Sequence, residues 1–412
     1  MAESTPCIPG TAPYPVPGEG GGCPAFLGRE RESRDLVDLI SANSEVLLYA
    51  GPGSGKSSLL QAGVLPRLGE LGFQAFPPIR VTVPMAAGAA ETGDTYLQNA
   101  LAALAGEGER GTTAAGDFCT FLGSAIDVEA LGTILIVDQI EEILDAGPEN
   151  EGQRQAFFLQ LADCLKQHRQ LRLVFSLSEE RLAAMERYFR LLPERMTTRM
   201  HLEELGHAQV LQVLAHSGDC AAGKIPLFNP AAAELLYEKL SSGVGAGGVQ
   251  AGTRLQGSGS TVNPLLLQLA WALMADTLPP GQKQILPQDV ETRLDPQRVA
   301  MDFYDHALKQ VLTAHPKAEQ EVLLRQWFEQ NLTDRPGRMG AERRDGEVAG
   351  LPLPVADELV RRCLLTCRRF RGRVWYELPH TSMAPAIRLA NERWFEAHDP
   401  LRQLKRKLER QA

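Results

Sequence analysis

Short apolar runs alternate with helical patterns in the first half of the chain. The runs at residues 46–50 and 133–137 have no polar alternation, which predicts strands buried on both faces of a parallel sheet. The stretches between the runs repeat apolar residues at helical spacing. The five predicted strands are residues 46–50, 78–83, 133–137, 171–177 and 199–202. Strands that alternate with helices predict an α/β fold around one parallel sheet.

The pattern becomes mainly helical after residue 205. The predicted helices are 207–216, 230–241, 262–276 and two more within 298–331. Glycine, serine and alanine dominate residues 243–260, and residues 332–350 are polar and glycine-rich, so both segments are predicted to be loops.

A helix, a hairpin and a second helix are predicted near the end of the chain. Helix 355–366 precedes strands 367–370 and 374–378, which a short turn joins. This order is typical of a winged helix. The predicted fold class is therefore α/β, with a parallel-sheet domain followed by a helical domain and a winged-helix domain.

A glycine-rich turn follows the first apolar run. Residues 51–58 are Gly-Pro-Gly-Ser-Gly-Lys-Ser-Ser, which contains the Gly-Lys-Ser of the Walker A pattern. Glycines allow backbone N–H groups to converge on a phosphate, and the N-terminus of the next helix adds partial positive charge. The residues predicted to bind nucleotide here are Gly51, Gly53, Ser54, Gly55, Lys56, Ser57 and Ser58.

Two side chains of this loop carry most of the predicted chemistry. Lys56 can reach the β- and γ-phosphates, and the Ser57 hydroxyl can hold Mg²⁺. Ala50 stands where the pattern has its first glycine, which requires a negative φ at that residue. The predicted cofactors are ATP or ADP with Mg²⁺.

A carboxylate follows the apolar run at 133–137, as in a Walker B segment. Asp138 at the end of a buried strand can hold Mg²⁺ through water, and we expect it to act with Ser57 as the metal site. The next residue is Gln139, where a vigorous ATPase usually has an acid that orients the attacking water. Glu141 or Glu142 can take that catalytic role, or both are solvated acids at a helix N-terminus.

The order of the predicted strands along the chain indicates which branch of P-loop proteins this chain resembles. One predicted strand lies between the Walker A and Walker B strands in the chain, which suits the additional-strand branch better than kinases or GTPases. The sequence has no Asn-Lys-x-Asp guanine motif, so ATP is favoured over GTP.

Composition and charge exclude some function classes. The 412 residues suggest about two to four domains. No apolar run has the length of a membrane span, and no signal peptide opens the chain. The net charge of −9 disfavours general nucleic-acid binding. The seven cysteines lack metal-ligand spacing, so we expect reduced thiols and a cytoplasmic location.

Four stretches in this order resemble the STAND class of signalling NTPases, particularly its bacterial novel STAND group. The stretches are Phe26-Leu-Gly-Arg-Glu30, the phosphate loop and helix at 51–67, Asp138-Gln-Ile-Glu-Glu142, and Tyr376-Glu-Leu-Pro-His380. The resemblance covers residues 24–396 and is weakest over 205–350.

The resemblance implies further roles. Gly28 and Arg29 belong to a motif that lies near the adenine, and Pro264 looks like the helical-domain proline that packs on it. His380 resembles the histidine that contacts the β-phosphate of ADP and clamps the closed state. Pro264 also suits the first position of a helix, and His380 also suits a capping or core position.

Two departures from the family affect hydrolysis more than binding. The family's fourth strand ends in Leu-Arg-x-Asp, whose arginine senses the γ-phosphate, whereas Ser178 occupies that place here. Arg181 can substitute only if the turn is rearranged. The family's His-Asp pair is His380-Thr381 in this chain.

The resemblance implies an ATP/ADP-regulated switch in signal transduction, defence included. ADP would keep the domains closed, and ATP would permit assembly into a homo-oligomer that relays a signal to partner sensor or effector domains. Hydrolysis is expected to be slow. The expected segments are a Gly/Pro-rich stretch 1–24, a nucleotide-binding domain 25–203, a helical domain 204–285, a winged-helix-type domain 286–396 and a basic tail 397–412.

Two alternatives remain open at this point. An active AAA+-like ATPase, such as a remodeller or loader, is opposed by Gln139 and Ser178. A winged-helix DNA-binding regulator is supported by an arginine cluster and opposed by the acidic chain. The cluster comprises Arg361, Arg362, Arg368, Arg369, Arg371 and Arg373.

Overall fold

The computed structural model describes residues 26–82, 95–105, 118–145, 147, 150–216, 227–242, 261–279, 281–315, 321–333, 339–370 and 372–398. The predicted N-terminal stretch 1–24, the predicted loop 243–260 and most of the predicted tail lie outside these ranges. Within the ranges, no helix combines the length and the apolar character that crossing a membrane requires.

A five-stranded parallel sheet forms the first half of the structure. The strands are β1 (Glu45–Ala50), β2 (Gln74–Ala75), β3 (Thr133–Val137), β4 (Leu171–Ser178) and β5 (Arg199–His201). Their order in the sheet is β2-β3-β4-β1-β5. Because β4 is inserted between β1 and β3, this is the arrangement of the additional-strand branch, and the predicted parallel α/β core is confirmed.

The second strand is displaced from its predicted position. Regular pairing occurs at β2, and the chain then meets β3 through a single bridge between Ile79 and Val137. Pro77 and Pro78 lack the backbone N–H groups that a continuous ladder requires. The predicted strand over residues 78–83 is therefore wrong in its bounds.

Helices cover both faces of the sheet. They are α1 (Glu30–Ala42), α2 (Lys56–Ser58, continuing through π-helical Leu59–Val64 into Leu65–Glu70), α3 (Thr95–Ala105), α4 (Phe118–Ala125), α5 (Glu151–Gln167) and α6 (Leu182–Phe189). Side chains alternate between the faces of a strand. On β3, Ile134 and Ile136 join the apolar cluster of α1 and α2, while Leu135 and Val137 join that of α3 to α6.

A helical region follows the sheet. It contains α7 (His207–Ala215), β6 (Leu227–Phe228), α8 (Pro230–Ser242), α9 (Pro264–Thr277), β7 (Gln284–Ile285) and α10 (Pro287–Arg293). The three helices that were predicted in this part are confirmed to within two residues at each end. The two short strands pair in parallel and were not predicted.

The C-terminal region combines helices with an antiparallel sheet. Its elements are α11 (Val299–Ala314), α12 (Glu321–Phe328), π-helical Glu329–Thr333, β8 (Gly340–Arg344), β9 (Glu347–Val348), β10 (Leu351–Pro352), α13 (Leu353–Arg361), β11 (Thr366–Phe370), β12 (Arg373–Glu377) and α14 (Ala384–His398). The sheet order is β10-β9-β8-β12-β11. The predicted hairpin is confirmed as β11 and β12, and one apolar core spans this region and the helical region.

The predicted loop at 332–350 is wrong, because β8 and β9 form a hairpin there. Asp345 and Gly346 join these strands with φ of 50° and 86°. An Asp-Gly pair with both residues at positive φ is a strong hairpin signal, since its twist matches that of the strands. This signal lies within a polar, glycine-rich stretch whose composition is otherwise typical of a loop.

Two of the cysteines also differ from the prediction of reduced thiols. Cys119 on α4 and Cys164 on α5 form a disulfide. Cys363 and Cys367 are thiols, and the other three cysteines lie outside the described residues.

Candidate functional site

The phosphate loop lies between β1 and α2. Gly53 and Gly55 have φ of 78° and 91°, a region that residues with side chains rarely adopt. Gly53 is also enclosed, because a Cβ there would lie 2.7 Å from Oδ1 of Asn263. Ala50 is not among the residues with positive φ, so the methyl group that replaces the pattern's first glycine is accommodated.

Lys56 begins α2 and folds back over the loop. Its Nζ donates to the backbone oxygens of Ala50 at 3.0 Å and Gly51 at 3.1 Å. Burial lowers the pKa of Lys56, and the negative charges of Glu141 and Asp138 oppose that effect. An anion at the loop would favour the charged lysine further, since an opposite charge offsets the cost of burial.

Asp138 follows β3 and accepts hydrogen bonds from two serines. Ser57 Oγ donates to Oδ2 at 2.7 Å, and Ser176 Oγ donates to Oδ1. The two residues predicted to hold the metal are therefore in direct contact. Carboxylate and hydroxyl oxygens are ligands that Mg²⁺ accepts, so the residues present fit that ion.

Sequence reasoning misses Ser176. It lies on β4 one residue beyond Phe175, which pairs with Val137, and it is fully buried. Its Oγ also accepts a hydrogen bond at 3.1 Å from the N–H of Gln139, a residue with φ of 56°. The one signal for Ser176 in the sequence is a hydroxyl within an apolar strand.

Glu141 and Glu142 share the short 3₁₀ turn after β3 but face different partners. The Glu142 carboxylate accepts from Thr82 Oγ1 and lies 3.5 Å from Nη1 of Arg80. Glu141 has a buried Oε2 without a hydrogen-bond partner among the described residues. Burial raises the pKa of Glu141 to about 7, against the opposing charge of Lys56. Glu141 therefore has an oxygen that can accept a hydrogen bond from a further ligand.

Gly28 and Arg29, which precede α1, form hydrogen bonds that connect α1 to the phosphate loop and to α7. Arg29 Nη2 donates to the backbone oxygens of Ser54 at 3.2 Å and Glu203 at 2.7 Å. Gly28 has φ of 79°, and its backbone oxygen accepts from Gln209 Nε2 at 2.8 Å. These contacts join the start of α1 to the loop and to α7, while the adenine role of the pair stays a prediction.

The N-terminus of α9 packs against the loop. Asn263 caps α9 by accepting from the Leu265 N–H at 3.0 Å, and its Nδ2 donates to the Pro52 oxygen at 3.0 Å. Pro264 occupies the first turn of α9, and its Cγ would lie 3.9 Å from a Cβ on Gly55. Pro264 is therefore a helix-starting proline that lies beside the phosphate loop, and its contact with adenine stays a prediction.

His380 reaches the phosphate loop from the far end of the chain. Its Nε2 lies 3.1 Å from the Gly53 nitrogen, and its Nδ1 lies 2.6 Å from Ser382 Oγ. Burial, with the charges of Lys56 and Arg80, lowers the pKa of His380 to about 4, so the ring is neutral.

A neutral imidazole has one N–H and one lone-pair nitrogen. The Gly53 N–H must donate to a lone pair on His380 Nε2, so we assign the proton to Nδ1, which donates to Ser382 Oγ. The Ser382 N–H also lies 3.2 Å from Nδ1, and this tautomer leaves that bond unmade.

The end of β4 brings no arginine to the loop. Ser178 pairs with Ala50 in the sheet. Arg181 is half exposed and forms an ion pair with Asp145 at 3.3 Å. In this arrangement of the turn, Arg181 therefore does not take the place of the missing arginine.

Four of the arginines around the C-terminal hairpin are paired with acids of the same C-terminal region. The pairs are Arg361–Glu358, Arg362–Glu358, Arg368–Glu377 and Arg373–Glu342. Arg371 lies outside the described residues. Binding to a phosphate backbone relies on positive charge that such pairs partly neutralise, so this pairing weakens the DNA-binding alternative.

A family model described as Novel STAND NTPase 1 matches residues 22–228, half of the chain. The match includes the phosphate loop, the segment around Asp138 and all five strands of the parallel sheet. No curated protein matches the chain.

Three solved structures are similar to the chain over most of its length. The Aeropyrum pernix ORC2 protein in its ADPNP-ADP complexes is 14% identical, with a TM-score of 0.45, over 93% of this chain and 96% of its own. The Aeropyrum pernix ORC1 protein in complex with DNA is 15% identical, with a TM-score of 0.45, over 92% and 94%. A Walker-type ATPase of Pyrococcus abyssi is 13% identical, with a TM-score of 0.43, over 91% and 98%.

Proposed function

This chain belongs to the Novel STAND NTPase 1 family, and we propose that it is a switch set by ATP and ADP. ADP keeps the nucleotide-binding, helical and C-terminal regions closed, and exchange for ATP opens them. One observation supports the proposal most: the Gly53 N–H donates to His380, which is 327 residues away in the chain. The C-terminal region thereby contacts a backbone group that a bound phosphate would also use.

Different residues around the loop bind the phosphates and the metal ion. Lys56 and the loop amides hold the phosphates. Ser57 and Asp138, already in contact, hold Mg²⁺. The ion, when bound, supplies positive charge that offsets the charge on the phosphate oxygens.

His380 makes the closed state sensitive to the nucleotide. Its Nε2 now accepts from Gly53, whereas a phosphate oxygen requires a donor. The ring therefore binds a β-phosphate only after a proton moves to Nε2 or a second proton is gained. A charge-assisted hydrogen bond of this kind contributes about 1.5–3 kcal/mol, or about ten- to a hundredfold in the closed–open equilibrium.

Hydrolysis is proposed to be slow. Ser178 stands where the family's arginine senses the γ-phosphate, and Gln139 stands where an acid usually orients water. Glu141 is the candidate for orienting water, because its Oε2 has no partner among the described residues. We expect turnover well below the ordinary enzyme median of about 10 per second.

The same carboxylate favours a second candidate function, that of a working AAA+-like ATPase. An acid whose pKa is close to 7 suits proton transfer at neutral pH, and burial raises the pKa of Glu141 to about 7. Sustained turnover near 10 per second would place this function first.

Oligomeric state under defined nucleotides tests the switch. The nucleotide that copurifies with the protein is identified, and mass is then measured by light scattering with ADP, with ATP and with a non-hydrolysable ATP analogue. We expect a single chain with ADP and a homo-oligomer with ATP and the analogue. One unchanged mass in all three conditions contradicts the switch, whether or not nucleotide binds.

We also propose the division into a nucleotide-binding domain at 25–203, a helical domain at 204–285 and a winged-helix-type domain at 286–396. The apolar clusters of the parallel sheet extend to Leu202 and are separate from the cluster that begins at Leu205. This separation supports the boundary between residues 203 and 204. The signal would pass to partner sensor or effector domains, which the homo-oligomer recruits.

A further inference from the structure

Arg80 lies where the nucleotide-binding region meets the C-terminal sheet, and no sequence motif selects it. It follows the bridge that Ile79 makes with β3. Its Nη1 lies 3.5 Å from Oε1 of Glu142 and 3.8 Å from Oε1 of Glu377. Glu142 belongs to the turn after β3 and Glu377 ends β12, so one guanidinium bridges the two regions.

Both carboxylates are buried, and each has a second partner within its own region. Glu377 is 3% exposed and Glu142 is 8% exposed. Arg368 Nε lies 3.2 Å from Oε1 of Glu377, and Thr82 Oγ1 donates to Glu142. Arg80 contacts both acids.

We propose that Arg80 is a positioning residue that couples the C-terminal sheet to the turn carrying Glu141 and Glu142. The inference rests on the proposed function, because it describes how closing reaches the site where water would be oriented. In the closed state Arg80 holds Glu142 and Glu377 together. When the C-terminal sheet moves away, Glu377 keeps its other arginine and Glu142 keeps Arg80.

Because each acid keeps one partner, the contact between Arg80 and Glu377 can break and form again. After opening, Glu142 still has Arg80 and Glu377 still has Arg368 as a cation partner. Opening therefore avoids the large unfavourable free energy of a buried, unpaired charge. Removal of Arg80 is different, since the closed state then holds two nearby carboxylates that repel each other. Glu142 is adjacent to Glu141 in the chain, so a displaced Glu142 also changes the position of Glu141 relative to Lys56.

Dissociation of ADP, measured by stopped flow, tests the coupling in a double-mutant cycle. Arg80→Gln and Glu377→Gln should each release ADP about tenfold faster than wild type, because each change removes one charged contact that holds the closed state. The double variant should release it no faster than the faster single variant, because both changes remove the same contact. Arg80→Lys keeps the charge and should restore slow release.

The matched control is Arg181→Gln, which breaks the half-exposed pair with Asp145 inside the nucleotide-binding region. It should release ADP at the wild-type rate. Additive effects in the cycle, or wild-type release by Arg80→Gln, overturn the proposal. If Arg80→Gln does not fold by circular dichroism, Glu377→Gln decides alone, because it leaves the pair of Arg80 and Glu142 in place.

Hydrogen exchange of the nucleotide-free protein tests the coupling by Arg80 independently of the proposed switch. If the wild-type protein does not bind ADP, the switch fails, and the coupling is then measured at the Gly53 amide, which donates to His380. Arg80→Gln should speed exchange of that amide, and Arg181→Gln should not. Equal exchange in both variants overturns the coupling, even where ADP binding succeeds.

Discussion

The phosphate loop and the segment that follows β12 of the C-terminal sheet meet at one site but are built differently. The loop is closed by contacts between neighbours in the chain, such as Lys56 with Ala50 and Gly51, and Ser54 Oγ with the Gly51 oxygen at 2.8 Å. The segment after β12 contributes His380, which contacts a residue far away in sequence.

The difference indicates that the loop binds the ligand, whereas the segment after β12 responds to the ligand. The loop supplies a fixed set of donors, and loss of its lysine removes the charge on which phosphate binding depends. The segment after β12 supplies a few polar contacts, each with a modest net free energy. Contacts of that size bias an equilibrium without locking it, which is the property a switch requires.

The largest expected effect comes from breaking the loop. Lys56→Ala should abolish nucleotide retention, because no other described side chain replaces its charge at Ala50 and Gly51. Copurified nucleotide is measured by chromatography after denaturation. The control Lys166→Ala removes an exposed lysine that pairs with Asp163, and it should retain nucleotide. Retention by Lys56→Ala equal to wild type would refute the assignment of the loop.

The two neighbouring acids should behave differently when each becomes an amide. Glu141→Gln should lower single-turnover hydrolysis about a hundredfold, the lower range for loss of a general base. Glu142→Gln should mainly speed ADP release, because that side chain contacts Thr82 and Arg80 instead of the open site. Equal loss of hydrolysis in both variants would contradict the distinction between them.

The histidine should affect release and assembly but leave binding in place. His380→Ala should speed ADP release about ten- to a hundredfold and raise the oligomeric fraction with ATP, since one charge-assisted bond is lost. Stopped flow and light scattering measure the two effects, with the exposed His216→Ala as control. Wild-type release and mass would make His380 a structural residue of the C-terminal region.

The smallest expected effect is one of pH on the nucleotide-free protein. Burial lowers the pKa of His380 to about 4 in the closed state, whereas an open state would restore a value near 6.5. Above 6.5 the ring is neutral in both states and the contact with Gly53 contributes fully. As the pH falls below 6.5, the open state gains the proton first, so closing weakens until about pH 4.

Between pH 7.5 and 5.5 this linkage weakens closing about tenfold. Hydrogen exchange of the Gly53 amide measures it, after correction for the intrinsic effect of pH on exchange. His380→Ala should remove the dependence. Bound ADP should reverse it, because a phosphate favours the protonated ring. A pH dependence that persists in His380→Ala would assign the effect to another group.

Most of the parallel sheet was predictable because its signals are local. Apolar runs buried on both faces, the glycines at 53 and 55 and the acid after β3 all belong to short stretches of sequence. The second strand was misplaced because Pro77 and Pro78 interrupt its pairing. The β8–β9 hairpin was missed although Asp345 and Gly346 carry its signal.

The sequence by itself determined where a phosphate would lie, because a phosphate loop forms from adjacent residues and its backbone geometry follows from their types. Only the tertiary structure decided which side chains surround it. Ser176 reaches Asp138 through strand pairing, and His380 and Arg80 arrive from separate elements. Such contacts depend on how packed elements orient long side chains, and the periodicity of a sequence carries no information about that orientation.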